Sequence, residues 1–238
     1  EENGEMEMSK SLFITGTGTD VGKTYVAGLF LKKLREAGLQ AAYYKAAMSG
    51  NEVGADNRPI PEDALYVKHI SGVEQSLKTM CPYVYQAAVS PHLASRLEGN
   101  PVRMETVKRG YAWLAERYGY ITVEGSGGIA CPISFDGELI WMEDVIRALS
   151  PVCLIVADAG LGTINAVTLT AEYMKNHGIE AAGIVLNRFR PGDVMEEDNK
   201  RMCEYITHLP VLACVPEGCT DLPMKTKDVL SLYRGQEK

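Results

Sequence analysis

Lys23 and Thr24 stand directly behind the run Gly16-Thr17-Gly18-Thr19-Asp20-Val21-Gly22, which itself follows the apolar triplet Leu12-Phe13-Ile14. An apolar strand that breaks into a glycine-rich turn and then starts a helix suits phosphate. Glycines let backbone N–H groups curl around anionic oxygens, and the helix N-terminus adds the positive end of its dipole. In that setting a lysine reaches the β- and γ-phosphates and the next hydroxyl ligates Mg²⁺. Gly18, Thr19, Asp20, Val21, Gly22, Lys23 and Thr24 are therefore read as a phosphate loop, although five residues separate Gly16 from Gly22 where the common pattern has four. Such a loop specifies a nucleotide and leaves the reaction open.

Other residues of reactive type end apolar runs. Lys45 closes 41–45, Glu124 follows 120–123 just ahead of Gly125-Ser126-Gly127-Gly128, and Asn187 follows 183–186. A carboxylate at Glu124's position lies at a sheet's carboxyl edge, where ligands of open α/β sheets bind. By residue type alone, Lys45 is a strand-end lysine, solvated or ion-paired. Asp63 is a carboxylate in the first turn of a helix begun by Pro61, and Ser126 and Gly127 belong to a turn.

The elements that must position these groups follow from the pattern of apolar residues. Short unalternating runs at 12–14, 41–45, 120–123, 152–156, 183–186 and 211–213 suit strands buried on both faces. Between them, helical spacing predicts helices over 24–37, 104–118, 163–177 and 194–207, the first stopped by Gly38. Alternation of the two implies right-handed βαβ units in a doubly wound, mostly parallel sheet flanked by helices. The proline-rich stretch 51–101 reads as an insertion over the sheet edge, and 1–10 as a polar tail before a single domain over 11–238. A net charge of -7 with no basic stripe excludes a nucleic-acid partner. No run of about 18 apolar residues exists to span a membrane. The acidic opening Glu1-Glu2-Asn3-Gly4-Glu5 lacks the regions of a signal peptide, so the expectation is a soluble cytoplasmic protein. Six scattered cysteines without a C-x-x-C pair are expected as reduced thiols, with Cys153 in the core.

Five separated segments carry a more specific signal: Tyr43-Tyr44-Lys45-Ala46-Ala47-Met48-Ser49-Gly50, Glu62-Asp63-Ala64-Leu65, Ser90-Pro91-His92, Val123-Glu124-Gly125-Ser126-Gly127-Gly128 and Gly183-Ile184-Val185-Leu186-Asn187. Their order and separations resemble dethiobiotin synthetase, as does the five-residue loop spacing, and the resemblance runs from Leu12 to Pro216. It implies a P-loop NTPase fold and an ATP- and Mg²⁺-dependent ligase. In that family one amine of 7,8-diaminononanoate takes up CO₂ as a carbamate, the carbamate attacks the γ-phosphate, and the second amine displaces phosphate to close a cyclic urea.

Carried over residue by residue, the resemblance puts Lys23 on the β/γ-phosphates and Lys45 between the γ-phosphate and the carbamate, and makes both lysines catalytic. Ser49 bonds the carbamate or its nitrogen. Thr24, Asp63 and Glu124 hold Mg²⁺, and Ser126 and Gly127 offer groups to substrate or phosphate. Asn187 reads adenine, with Val215, Pro216 and Glu217 on the base's other side. A homodimer is implied as well, in which Thr163, Ile164 and Asn165 present a helix N-terminus to the substrate carboxylate of the partner.

Two positions depart from the family. Ala46 stands where proline is usual, and no tyrosine aligns near Asn199, Tyr205 being the nearest. A regulatory ATPase of the MinD/ParA type usually has an extra lysine early in the loop, which Gly16-Thr17-Gly18 lacks. An amide-forming synthetase of the cobyrinate type needs a glutaminase part for which the chain has no room, and a non-catalytic nucleotide-binding module needs neither Lys45 nor Glu124.

Overall fold

A computed structural model of the chain describes residues 8–235. Of the segment read as a tail, residues 1–7 lie outside the described residues, and Lys10 already opens the first strand. In chain order the elements are β1 (Lys10–Gly16), α1 (Lys23–Glu36), β2 (Ala41–Lys45), β3 (Ala47–Met48), α2 (Glu62–Ser71), β4 (Tyr83–Val84), α3 (Pro91–Leu97), α4 (Met104–Ala115) and β5 (Tyr120–Glu124). There follow β6 (Pro132–Ser134), β7 (Ile140–Trp141), α5 (Met142–Leu149), β8 (Cys153–Asp158), α6 (Thr163–Asn176), β9 (Ala181–Asn187), α7 (Val194–Thr207), β10 (Val211–Val215), α8 (Thr226–Leu230) and β11 (Arg234–Gly235).

Six of these strands form a parallel sheet in the order β10-β9-β8-β1-β5-β2. The predicted doubly wound architecture is the observed one. The chain winds from β1 toward β2 and β5 on one side and toward β8, β9 and β10 on the other, so the loop after β1 sits at the switch point, where the sheet opens a crevice. β8 joins β1 only from Phe13, and ahead of it Lys10 and Ser11 pair antiparallel with β11.

Alternation along each strand divides the apolar residues into two cores. Leu12, Ile14, Tyr43, Leu154 and Val156 face α1, α2 and α8, whereas Phe13, Ala42, Tyr44, Val123 and Ile155 face α4, α5 and α6. Cys153 lies in the second core, where burial pushes its thiol up, and all six cysteines are unpaired. In α1 the side chains of Val26, Leu29, Phe30 and Leu34 are buried, as their helical spacing predicts. α7 starts on Asp193, whose carboxylate accepts from the N–H groups of Met195 and Glu196.

The insertion at 51–101 flanks β2, the edge strand. Gln75 from this segment donates to and accepts from the backbone of Tyr43, at 3.0 and 2.8 Å, and the N–H of Lys45 donates to Met80 at 2.9 Å. An edge that would otherwise expose unpaired groups is thereby covered.

Candidate active site

The carboxyl ends of β1, β5 and β2 meet along one side of a cleft of about 1400 Å³. Sheet register does the first part of the positioning, because Lys45 lies directly beside Glu124, and Glu124 beside Ile14. Lys45 Nζ donates to Glu124 Oε1 at 2.8 Å and to Asp63 Oδ2 at 2.6 Å. Thr24 Oγ1, in the first turn of α1, donates to Glu124 Oε1 at 2.8 Å and approaches Asp63 Oδ1 at 3.4 Å. Tyr43 completes the group: it stands two residues before Lys45, on the same face of β2, and its hydroxyl donates to Glu124 Oε2 at 2.7 Å.

Burial sets the electrostatics. It opposes the charged form of Lys45, but the Glu124 and Asp63 carboxylates outweigh it and hold the ammonium above its ordinary range. Lys23, with less compensation and a second lysine nearby, is pushed down by burial and by Lys45, and its Nζ donates to the Gly18 carbonyl at 2.7 Å. Burial favours neutral Asp63, yet Lys45 and the Thr24 hydroxyl hold it below its ordinary value of 3.8. A carboxyl whose folded value is depressed adds stability above that ordinary value and loses it as pH falls through the folded one. In metal-free buffer, urea midpoints of the wild type should therefore fall more steeply between about pH 5 and pH 3 than those of Asp63→Asn. The half-exposed position limits the difference at pH 5 to about 1 kcal/mol. Parallel curves would show that Lys45 does not hold Asp63 ionised.

Thr24, Asp63 and Glu124 thus bring one hydroxyl and two carboxylates together at the end of the phosphate loop. An all-oxygen set with two anionic members fits a hard divalent cation that keeps waters and takes its remaining ligands from phosphate.

The cleft is also lined by Thr19, Asp20, Gly22, Ser49, Ser126 and Gly127. Ser126 Oγ is spent on the Ala47 carbonyl at 2.7 Å, so what this turn has to offer a ligand is mainly its backbone N–H groups. Ser90 and Pro91, at the start of α3, form part of the wall with Tyr66, His69 and Arg188.

Asn187 lies at the end of β9, next to Val215 in register, and does not line the cleft. Its Nδ2 donates to the Val21 carbonyl at 3.1 Å, while its Oδ1 is buried without a partner. An orphaned buried acceptor beside Val215, Pro216 and Glu217 is consistent with a ligand amino group there. The loop after β10 is tied to α1, since Tyr25 donates to the Cys219 carbonyl, Lys32 to the Thr220 carbonyl at 2.7 Å, and Lys33 pairs with Asp221 at 2.5 Å.

Thr163, Ile164 and Asn165 form the first turn of α6, outside the cleft of their own chain. Gly162 enters the helix at φ 91° without a side-chain cap, and Thr163 Oγ1 is buried without a partner. Asn199, near which no tyrosine aligns, is buried and donates to the carbonyls of Ala159 and Gly160 at 3.0 and 3.1 Å, bracing the approach to that turn. Tyr205 is far more exposed, at 74%. Sequence reasoning overlooked Tyr43 and Arg188. The period-two spacing of Tyr43 and Lys45 was a usable signal for the first; nothing local marks the second.

The loop between β1 and α1, the sheet that carries it and the lysine–carboxylate cluster at its edge define a P-loop nucleotide-binding protein. In fold the chain is similar to a ParA family ATPase from Chlorobium tepidum TLS (TM-score 0.56, 15% identity, covering 89% of this chain and 85% of that one). It is likewise similar to the MinC:MinD cell division protein complex of Aquifex aeolicus (TM-score 0.53, 16% identity, 88% and 82%). A family model described as an AAA domain matches residues 10–219. The ATP-dependent dethiobiotin synthetase BioD of Brachyspira hyodysenteriae is 44% identical over 224 residues, 94% of this chain and 99% of that protein. That of Clostridium kluyveri is 45% identical over 207 residues, 87% and 85%. The chain belongs to the ATP-dependent dethiobiotin synthetase family.

Proposed function

We propose that this protein is an ATP-dependent dethiobiotin synthetase, a ligase that forms the two C–N bonds of a cyclic urea from 7,8-diaminononanoate, CO₂ and ATP. The observation that carries this reading is the second lysine. A P-loop needs only Lys23 to hold a nucleotide, yet Lys45 is also buried at the loop's end, among the groups suited to the metal. Two ammonium groups converging on one phosphate suit a transition state that carries both phosphoryl and carbamate charge.

In this reading one amine of the substrate adds to CO₂ and loses a proton, giving a carbamate. A carbamate oxygen attacks the γ-phosphorus and ADP departs. The second amine then attacks the carbamoyl carbon, a proton is lost, and inorganic phosphate leaves. Thr24, Asp63 and Glu124 would hold Mg²⁺, which would supply charge neutralisation at the phosphate oxygens. Lys23 binds the β- and γ-phosphates, and Lys45 orients the carbamate oxygen and balances the charge that builds up. Ser49, Ser126 and Gly127 hold the carbamate and the adjoining amine. Asn187 reads the adenine edge through its orphaned Oδ1 and its amide, with Val215, Pro216 and Glu217 beside the base.

We assign a homodimer in the cytoplasm, acting on small molecules. The first turn of α6 lies outside the cleft of its own chain and has no side-chain cap, and Leu161 beside it is 93% exposed, as suits a turn completed by a second copy. No helix among the described residues is long and apolar enough to cross a membrane. The regulatory alternative draws support from fold likeness alone, which does not specify function.

Phosphate release from Mg·ATP and bicarbonate, measured with and without the diamine, tests the reading. Diamine-dependent phosphate, matched by a product heavier than the diamine by one carbonyl less two hydrogens, is expected. Slow ATP turnover indifferent to the diamine would reject it.

A further inference from the structure

We propose that Arg188 is a positioning residue for the phosphate loop: together with Asn187 it clamps two successive peptide planes of that loop so that their N–H groups face the nucleotide. Neighbouring residues at the end of β9 grip neighbouring carbonyls. Arg188 donates to the carbonyl of Asp20 at 2.5 Å, and Asn187 donates to that of Val21 at 3.1 Å. Among the described residues every peptide bond is trans, and in a trans peptide the C=O and the following N–H point in opposite directions. Fixing the Asp20 carbonyl therefore turns the Val21 N–H away from Arg188, and fixing the Val21 carbonyl turns the Gly22 N–H away from Asn187. Both N–H groups belong to the turn that must cradle phosphate.

Backbone conformation at both ends of the tether points the same way. Asp20 has φ 59° and Arg188 φ 55°, two of the four non-glycine residues with positive φ among those described. A residue with a Cβ pays sterically for that region and persists there where its surroundings over-determine it. Arg188 also pairs with Asp158 at the end of β8, and Asp158 in turn accepts from the N–H of Gly160 at 2.8 Å. Its planar fork thus ties the loop to the ends of two strands at once through two separate nitrogens held in one rigid plane, a geometry that the single nitrogen of a lysine does not reproduce.

The inference rests on nucleotide binding by this loop and not on the diamine chemistry. Mg·ADP is titrated calorimetrically into wild type, Arg188→Met and Arg188→Lys; adenosine is followed by ligand-observed NMR, and thermal unfolding is recorded without ligand. The Kd for Mg·ADP should rise about tenfold in Arg188→Met and stay about fivefold raised in Arg188→Lys, while that for adenosine changes by less than about twofold. Unfolding temperatures should agree within about 3 °C. An unchanged Kd for Mg·ADP in Arg188→Met overturns the proposal. So does full recovery in Arg188→Lys, which would reduce the effect to charge, or an equal loss for adenosine, which would make it global. Should Arg188→Met fail to fold, Asp158→Asn loosens the other anchor and should raise the Kd for Mg·ADP about threefold, an unchanged value again overturning the proposal. A wild type that binds Mg·ADP but forms no cyclic product would strike the synthetase reading and leave this one standing.

Discussion

Lys45→Met should lower kcat for ring closure by about 100- to 1000-fold while shifting the Kd for Mg·ATP by less than about threefold. The side chain keeps most of its length and loses its charge, so the variant separates transition-state stabilisation from packing. Stability should fall too. Lys45 and Glu124 are both nearly inaccessible, and removing one partner of a buried pair costs about 3–5 kcal/mol because the other is left uncompensated. Glu124 keeps the hydroxyls of Tyr43 and Thr24, which places the loss toward the lower end. Added Mg²⁺ should return part of it, since a ligand that binds only the folded state stabilises by RT ln(1 + [L]/Kd). Single-turnover kinetics and urea unfolding with and without Mg²⁺ measure both effects. Full ring-forming activity in Lys45→Met would remove Lys45 from the chemistry.

Gly22→Ala should weaken Mg·ATP binding by about 100-fold, equivalent to about 2.7 kcal/mol. Two independent geometric facts require this. A Cβ at Gly22 would lie 2.0 Å from Asn187 Nδ2, and the residue sits at φ 96°, which alanine adopts only under strain. Either the loop or Asn187 must move, and Asn187 is buried and bonded to the loop itself. Ligand-free stability should drop by about 1–3 kcal/mol. The pair Gly22→Ala/Asn187→Ala separates the two causes. Removing the amide leaves only the Asn187 Cβ, 3.7 Å from the new methyl, so unfolding stability should recover more than binding, the backbone strain and the lost amide remaining. Normal Mg·ATP affinity in Gly22→Ala would mean that the loop has room that the geometry denies.

The parts of this site that were legible in the sequence share one property: they follow from local order. Strands buried on both faces show up as unbroken apolar runs, and Lys45, Glu124 and Asn187 each end such a run at the edge where an α/β sheet binds its ligands. The phosphate loop advertises itself by strand, glycines and helix in succession. What escaped depends on pairings between distant segments. Gln75 completing the edge of β2, β11 filling the gap beside β1, and Arg188 reaching the loop about 168 positions earlier leave no local trace. α5 is a different case. Its buried Met142, Val145, Ile146 and Leu149 have helical spacing, but eight residues behind the short β6–β7 hairpin offer too little periodicity to single out.

The register between β1 and β5 bears on how the polypeptide is made. Lys10 pairs with Tyr120 and Ile14 with Glu124, so the central strand gains this neighbour only after about 110 further residues have been synthesised. A nascent chain that has reached the end of β2 already carries the whole phosphate loop and Lys45, yet lacks Glu124 and both strands that flank β1. It therefore has neither the carboxylate that compensates Lys45 nor a rigid base for the loop. Nucleotide can act as a folding ligand only once synthesis has passed β8, and a chain truncated before that point gains nothing from ATP in the cell.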